Sequence, residues 1–255
     1  MSVAVNQLRP PQVDGFRARL GFWLRNDASR LLWPGRCLAC RAPGLPGMDL
    51  CDECERALPR VASACLRCAL PRPVAGTCGA CRRRPPPLRE VHAACVYAAP
   101  IDRLLPRFKF HDDLAAGRLL SQVMAEAFAS LPKPDALVPV PLHVGRLRSR
   151  GYDQALELAR PLSRALQVPM RSKLLVRTRS TAPQSEQDAV ARRRNVRRAF
   201  AVRGAAAVRG AARVPAHVVL VDDVMTTGAT LHAAAEALLR AGVLRVDAWV
   251  CARAT

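Results

Sequence analysis

Apolar positions divide the chain into a cysteine-rich first part and a later part in which short apolar runs alternate with amphipathic segments. The short runs predict strands at residues 91–98, 136–140, 218–221 and 243–250. The amphipathic segments predict helices at residues 114–129, 152–166 (kinked or restarted at Pro161) and 231–240. Because strands and helices alternate from residue 91 onward, we expect an α/β fold with a mostly parallel sheet and flanking helices.

One further helix is doubtful. Residues 100–108 have helical spacing, but Pro106 lacks the N–H that a helix interior needs. Asp112 or Asp113 is expected to cap the helix that follows. His111 beside these acids is an alternative candidate site, and the capping interpretation is favoured.

Two adjacent carboxylates follow the predicted strand at residues 218–221, and a turn of small residues leads from them into a helix. Free backbone N–H groups and the helix dipole make such a turn an anion site, and its glycine lets a phosphate approach the backbone. The carboxylates lie where a ribose diol or a hydrated metal could be held. An acidic turn without a ligand is disfavoured, because buried unpaired acids are costly. The residues concerned are Asp222, Asp223, Thr226, Thr227, Gly228, Ala229 and Thr230.

A second basic segment lies between the predicted strand at 136–140 and the next helix. Its two prolines, a glycine and three alternating arginines predict a strand-to-helix loop. Arg146, Arg148 and Arg150 suit a second anion, distinct from the first. The alternative is a solvated basic loop without a ligand.

Eight cysteines form four Cys-x2-Cys pairs, and each pair can present two thiolates to one tetrahedral Zn(2+) ion. We interpret them as two zinc ribbons in sequential pairing, with cross-braced pairing and one or two ions left open. Redox pairs are disfavoured, because they occur in a βαβ context that is absent here. Cys95 and Cys251 lie in apolar runs and are predicted to be buried thiols. The ligands are Cys37, Cys40, Cys51, Cys54, Cys65, Cys68, Cys78 and Cys81.

Charge and hydropathy narrow the class of protein. The 255 residues carry 40 basic and 20 acidic side chains, a formal net charge of +20 that favours polyanionic partners. No apolar run has the form of a signal peptide or the length of a membrane span, so we expect a cytoplasmic protein.

Two segments have less regular patterns. Residues 1–35 form an N-terminal extension with a candidate helix at 13–32. The basic residues 171–203 predict an extended hairpin or a mobile loop.

The acidic pair and Thr-Gly-x-Thr turn resemble the phosphoribosyl diphosphate (PRPP) signature of type I phosphoribosyltransferases. Together with the ribbons, the Arg-x-Arg-Gly-Tyr-Asp-Gln segment and an Arg-x-Arg-x-Thr-x-x-Gln segment, it is similar to the ComF family of competence-associated proteins. The resemblance implies a type I phosphoribosyltransferase-like, mostly parallel α/β sheet preceded by a small Cys-rich zinc-ribbon module. The expected parts are an extension at 1–35, a double zinc ribbon at 36–84 and a phosphoribosyltransferase-like domain at 88–255.

The resemblance also implies roles for the site residues. Residues Thr226 to Thr230 would take the 5′-phosphate, and Asp222 and Asp223 the ribose hydroxyls. Arg146 and Arg148 would meet the pyrophosphate, and Mg(2+) would accompany PRPP. In residues 171–203 a closing loop would bring Arg179 to the leaving pyrophosphate. The alternatives are a solvated Arg179 and a track of arginines that binds nucleic acid. The candidate catalytic residues are therefore Asp222, Asp223 and Arg179.

The implied function is a PRPP-binding, phosphoribosyltransferase-like protein of DNA uptake and natural transformation, and no motif names the acceptor. The alternative is a non-catalytic protein that binds single-stranded DNA or a partner on the same scaffold. In both cases the expected partners include single-stranded DNA and DNA-uptake or recombination proteins.

Overall fold

A computed structural model of the chain describes residues 35–178, 199–203 and 214–255. In chain order the strands are β1 (Val91–Val96), β2 (Ala136–Pro139), β3 (Leu175–Arg177), β4 (Phe200–Val202), β5 (His217–Met225) and β6 (Arg245–Arg253). The helices are α1 (Asp52–Arg56), α2 (Gly79–Arg83), α3 (Ile101–Phe110), α4 (Leu114–Phe128), α5 (Val144–Arg150), α6 (Gln154–Leu166) and α7 (Ala229–Arg240).

Four strands form one parallel sheet in the order β1-β6-β5-β2, and β3 pairs antiparallel with β4. The central strand β5 is buried on both faces, as its run of apolar residues requires. Val219 and Val221 pack into a core with α3, α4 and α6, whereas Val218 and Leu220 pack into a second core with α7 and the β3–β4 hairpin. The sheet is therefore the middle layer of an α/β fold.

The cysteine-rich segment covers the exposed edge of β1. Val61 N–H donates to the Ala94 carbonyl (3.2 Å), and Val96 N–H donates to the Pro59 carbonyl (2.8 Å). These bonds pair an edge that would otherwise be open to association with another strand. The first group of four cysteines contributes Cys37 to the core with α3 and α4, so this segment is part of the fold rather than an appendage.

Several predicted elements differ in their bounds. The doubtful helix is present and continues through Pro106 to Phe110, with Ile101, Leu104, Leu105 and Phe108 buried along it. Packing of that face outweighs the local cost of proline. Helix α6 is continuous and contains Pro161. The predicted helix at 13–32, and the residues 179–198 inside the predicted hairpin, lie outside the described residues, whereas the base of the hairpin is confirmed by β3 and β4.

The predicted arginine loop is wrong in part. Residues 144–150 form the short helix α5, with the His143 ring accepting a hydrogen bond from the Gly145 N–H (3.1 Å) and Gly151 ending the helix at φ 77°. Asp113 caps α4 by accepting from the Ala116 N–H (3.0 Å), which confirms the capping interpretation. In the part of the chain that the structure describes, no helix is long and apolar enough to cross a membrane.

Candidate functional site

The two carboxylates lie on the last part of β5, at the carboxyl end of the parallel sheet. The strand continues to Met225, so Asp222 and Asp223 belong to it rather than follow it. Asp223 is buried, and its N–H donates to Asp222 Oδ1 (2.9 Å). Ligands of open α/β sheets bind at this edge. The predicted placement of the acidic pair at a strand end is therefore close to the observed one.

A lysine from a distant helix contacts this acidic pair. Lys109 Nζ lies 2.8 Å from Asp223 Oδ2, from the last turn of α3. Burial first, and then the charge of Asp223, raise the pKa of Asp222 to about 8. The Asp223 N–H and the Lys109 charge oppose this shift. Lys109 thus compensates the charge of Asp223, whereas Asp222 favours its protonated form in the absence of a ligand.

The turn after β5 has the geometry of a close-approach site. Gly228 adopts the left-handed region at φ 77° and precedes the first residue of α7. A Cβ there would lie 2.5 Å from Met225 Cε and 3.1 Å from the ring of His232, so only glycine fits without rearrangement. Thr226 and Thr227 are exposed, which leaves their hydroxyls accessible from solvent.

The basic residues predicted for a second anion are found on α5 and near β3. Arg148 is exposed and Arg146 is half-buried on α5. Burial lowers the pKa of Arg177, the charge of Arg146 lowers it further, and the charge of Asp222 opposes both. Arg146 and Asp222 therefore each lie within electrostatic reach of Arg177. Arg179 lies outside the described residues.

Asp153 connects α6 to the segment that follows β2. Its Oδ1 accepts from the Leu156 N–H (3.1 Å) and its Oδ2 from the Leu142 N–H (3.0 Å). Burial raises the pKa of Asp153, and these backbone N–H groups oppose the shift. The charge of Asp223 adds a smaller upward contribution, so this cap lies close to the acidic pair.

The eight paired cysteines form two separate sets of four thiols. In each set the four Sγ atoms lie within 4.8 Å of one another. Cys40 and Cys51 Sγ are 3.6 Å apart, and Cys68 and Cys78 Sγ are 3.9 Å apart. Tetrahedral ligation at a Zn–S distance of about 2.3 Å requires sulfur atoms roughly 3.8 Å apart, so both sets fit Zn(2+). The sets are Cys37, Cys40, Cys51 and Cys54, and Cys65, Cys68, Cys78 and Cys81.

Sequential pairing is therefore confirmed, and the cross-braced alternative is wrong. Backbone N–H groups also favour thiolates in each set: the Cys78 N–H donates to Cys65 Sγ (3.2 Å). Burial alone would raise the pKa of Cys65, but N–H groups of Cys78, Arg67 and Cys68 outweigh it and lower the pKa to about 6. Cys95 and Cys251 are buried, as predicted.

One buried arginine joins the second ribbon to the acidic strand. Arg253 Nε donates to the Cys68 carbonyl (2.8 Å), and its Nη1 donates to the Met225 carbonyl (3.0 Å). Met225 is the last residue of β5, directly before the Thr226–Thr230 turn. Neither Arg253 nor Lys109 was predicted as part of the site, because each reaches it from an element remote in sequence.

Comparison with known proteins gives two matching families and several long relatives. Residues 28–82 match the double zinc ribbon domain, and residues 153–254 match the phosphoribosyl transferase domain. The DNA utilization protein YhgH of Salmonella typhi is 36% identical over 231 residues, covering 86% of this chain and 97% of that protein. Competence protein F of Haemophilus influenzae is 32% identical over 227 residues, with the same coverage of each chain.

Among solved structures, one described as the allosteric regulatory enzyme of purine biosynthesis superposes with a TM-score of 0.34 and 23% identity. The match covers 52% of this chain and 25% of that one. The relatives are similar over nearly their whole length, and the ribbon and phosphoribosyltransferase segments both match. The chain therefore belongs to the ComF family, together with Competence protein F and the DNA utilization protein YhgH.

Proposed function

We propose that the carboxyl end of β5 binds PRPP with Mg(2+) and that this site serves the handling of DNA during uptake. The observation that carries the proposal is the adjacent pair of the buried Asp223 and the half-buried Asp222, next to a turn that only glycine fits without rearrangement. Lys109 compensates the charge of Asp223, and ionising a second carboxylate this close is costly without a further partner. A ribose diol and a cation would supply the compensation.

Each group has a definite part in this proposal. The Thr226–Thr230 turn would bind the 5′-phosphate through backbone N–H groups at the start of α7. Asp222 and Asp223 would accept hydrogen bonds from the ribose hydroxyls, with Lys109 limiting their repulsion. Arg146 and Arg148 would face the pyrophosphate, and Arg179 would approach it from its loop. All of these groups would hold PRPP in one orientation.

The chemistry that this arrangement favours is substitution at the anomeric carbon. As pyrophosphate leaves, positive charge develops on the ribose ring, and the carboxylates of Asp222 and Asp223 stabilise it electrostatically. Arginines near the departing oxygens stabilise the negative charge. Mg(2+), when bound, would neutralise part of the pyrophosphate charge. Whether an acceptor completes the transfer is decided by the experiment below.

Isothermal titration with PRPP and Mg(2+) tests binding. We expect wild-type protein to bind PRPP. The Asp222→Asn/Asp223→Asn variant should bind it at least tenfold more weakly, because it loses charged hydrogen bonds. Glu236→Gln, on the exposed side of α7, is the matched control and should bind normally. Equal affinity of wild type and the double variant would contradict the proposal. Release of pyrophosphate in the presence of candidate acceptors then separates an enzyme from a binding protein.

Single-stranded DNA binding is the second candidate function. The net charge of +20 and the names of the relatives, a DNA utilization protein and a competence protein, support it. Phosphate contacts predict an affinity that falls steeply with salt concentration. A fluorescent oligonucleotide titrated at 50 and 200 mM salt should show this fall. No binding at the lower concentration would remove this candidate.

A further inference from the structure

Phe110 is an exposed aromatic ring that directly follows Lys109, the residue that contacts Asp223. It is the last residue of α3, directly after Lys109, and 62% of its surface is accessible. The neighbouring rings behave differently: Phe108 is fully buried and packs on Tyr152 at a centroid distance of 5.6 Å. A phenylalanine ring stabilises the folded state when it is buried, and an exposed ring contributes little to stability. Its exposure next to a charged site therefore suggests contact with a ligand.

A guanidinium group lies over this ring and is held in place. The Arg150 Cζ atom is 5.0 Å from the centroid of Phe110. Arg150 Nη1 donates to Gln154 Oε1 (3.2 Å), and Gln154 is buried at the start of α6. Because Gln154 is fixed by the packing of α6, the cation and the ring are preorganised rather than free to rotate apart. Arg150 and Phe110 together form the Phe110–Arg150 pair.

This pair adjoins the proposed phosphoribosyl site. Lys109, which precedes Phe110 on α3, contacts Asp223: its Nζ lies 2.8 Å from Asp223 Oδ2. Asp153, one residue before Gln154, is close enough to the acidic carboxylates to contribute to the pKa of Asp222. Through Lys109 and Asp153 the Phe110–Arg150 pair is connected to the acidic pair, so we expect a planar group stacked on Phe110 to lie near a bound PRPP.

We propose that the Phe110–Arg150 pair is a stacking site for an unpaired nucleobase. Aromatic rings and guanidinium planes are the two surfaces on which proteins stack exposed bases, and here they occur together. The base could belong to single-stranded DNA or be a free base that acts as the acceptor. This inference deepens the proposed function, because it names the chemical class that the same site would receive beside PRPP.

Two arms of one experiment distinguish the sources. In the first, a fluorescein-labelled 12-nucleotide thymidine strand is compared with an abasic strand of equal length and charge. In the second, free adenine and free uracil are titrated in the presence of PRPP and Mg(2+). Phe110→Ala is compared in both arms with Leu114→Ala, a matched control that truncates another exposed apolar residue. Phe110→Trp retains a stacking surface.

Stacking of one base is worth about 1–3 kcal/mol by alanine substitution, so Phe110→Ala should weaken binding about 5- to 100-fold. A loss for the thymidine strand but not the abasic strand identifies DNA, and a loss for a free base identifies an acceptor. Leu114→Ala should change neither arm, and Phe110→Trp should restore binding. Equal losses on both strands, or unchanged binding in both arms, would overturn the inference.

Failure of this inference is distinguishable from failure of the proposed function. The comparison of thymidine with abasic DNA needs no PRPP, so it reports on the Phe110–Arg150 pair alone. PRPP titration of wild-type protein reports on the acidic pair alone. Circular dichroism of Phe110→Ala checks that the exposed truncation leaves the fold intact, as its accessibility predicts.

Discussion

Replacing Arg253 by methionine should loosen the connection between the second ribbon and the end of β5. In the folded protein the buried guanidinium donates to the carbonyls of Cys68 (2.8 Å) and Met225 (3.0 Å), and also to that of the adjacent Ala254. Methionine occupies much of the same space but donates no hydrogen bond. The substitution therefore removes the two contacts to Cys68 and Met225, together with the local one to Ala254, without opening a large cavity.

The magnitude follows from these contacts. A hydrogen bond with one charged partner contributes about 1.5–3 kcal/mol, so the two contribute about 3–6 kcal/mol together. Part of this is offset, because burial disfavours the charged form of Arg253 and lowers its pKa. The Met225 carbonyl also accepts from the Ala254 N–H (3.0 Å) and keeps that partner. We expect a net loss of about 2–4 kcal/mol from a total free energy of unfolding of about 5–15 kcal/mol.

Urea unfolding of zinc-saturated protein, followed by circular dichroism, measures this loss as a shift of the midpoint. Arg240→Met is the matched control, because Arg240 is exposed on α7. Its ion pair with Glu236 is long, at 3.8 Å, and contributes little to the free energy of unfolding. Its midpoint should stay near that of wild type. Arg253→Lys should be intermediate, because one ammonium cannot span both carbonyls as a guanidinium fork does. A midpoint for Arg253→Met equal to that of Arg240→Met would refute the reasoning.

Three further predictions concern the acidic pair, the turn and the ribbons. Without ligand, the raised pKa of Asp222 means that between about pH 4 and about pH 8 the folded state keeps a proton that the unfolded state has lost. The free energy of unfolding should therefore fall as the pH rises through this range. Asp222→Asn should flatten this dependence in thermal melts. Gly228→Ala should cost about 1–2 kcal/mol in the same melts, because alanine is strained at φ 77°, and it should weaken PRPP binding at least tenfold in titrations. Cys65→Ser should reduce bound zinc from two ions to one by mass spectrometry, and loss of both would show that the two sets depend on each other.

The parts of the fold that were predicted from sequence are those with local, repeated patterns. Four Cys-x2-Cys pairs specify zinc ligation by spacing alone, whereas the structure was needed to decide between sequential and cross-braced pairing. The apolar run before Asp222 specifies a strand buried on both faces, because parallel strands need apolar residues at successive positions. Both patterns are complete within a few tens of residues, so zinc ligation and the buried strand needed no tertiary information.

The parts that were missed depend on contacts between distant elements. Lys109 reaches Asp223 only because α3 survives Pro106, and α3 survives because its apolar face packs against α4. Pro106 disfavours the helix locally, but tertiary packing outweighs this cost. Helix α5 was missed although Gly151, at its end, is the residue that favours a left-handed helix C-terminus. Here the signal existed and the neighbouring prolines obscured it.

Each of the two ribbons contacts an arginine on an element that carries part of the candidate site. Arg107 Nη1 donates to the Leu38 carbonyl of the first ribbon (2.6 Å), two residues before Lys109 on α3. Arg253 donates to the Cys68 carbonyl of the second ribbon and to Met225 at the end of β5. Each cysteine set thus includes or adjoins one backbone carbonyl that holds an arginine close to the candidate site. Because folding of a short cysteine-rich segment depends on its ion, we expect metal occupancy and the geometry of the candidate site to be coupled through these two arginines.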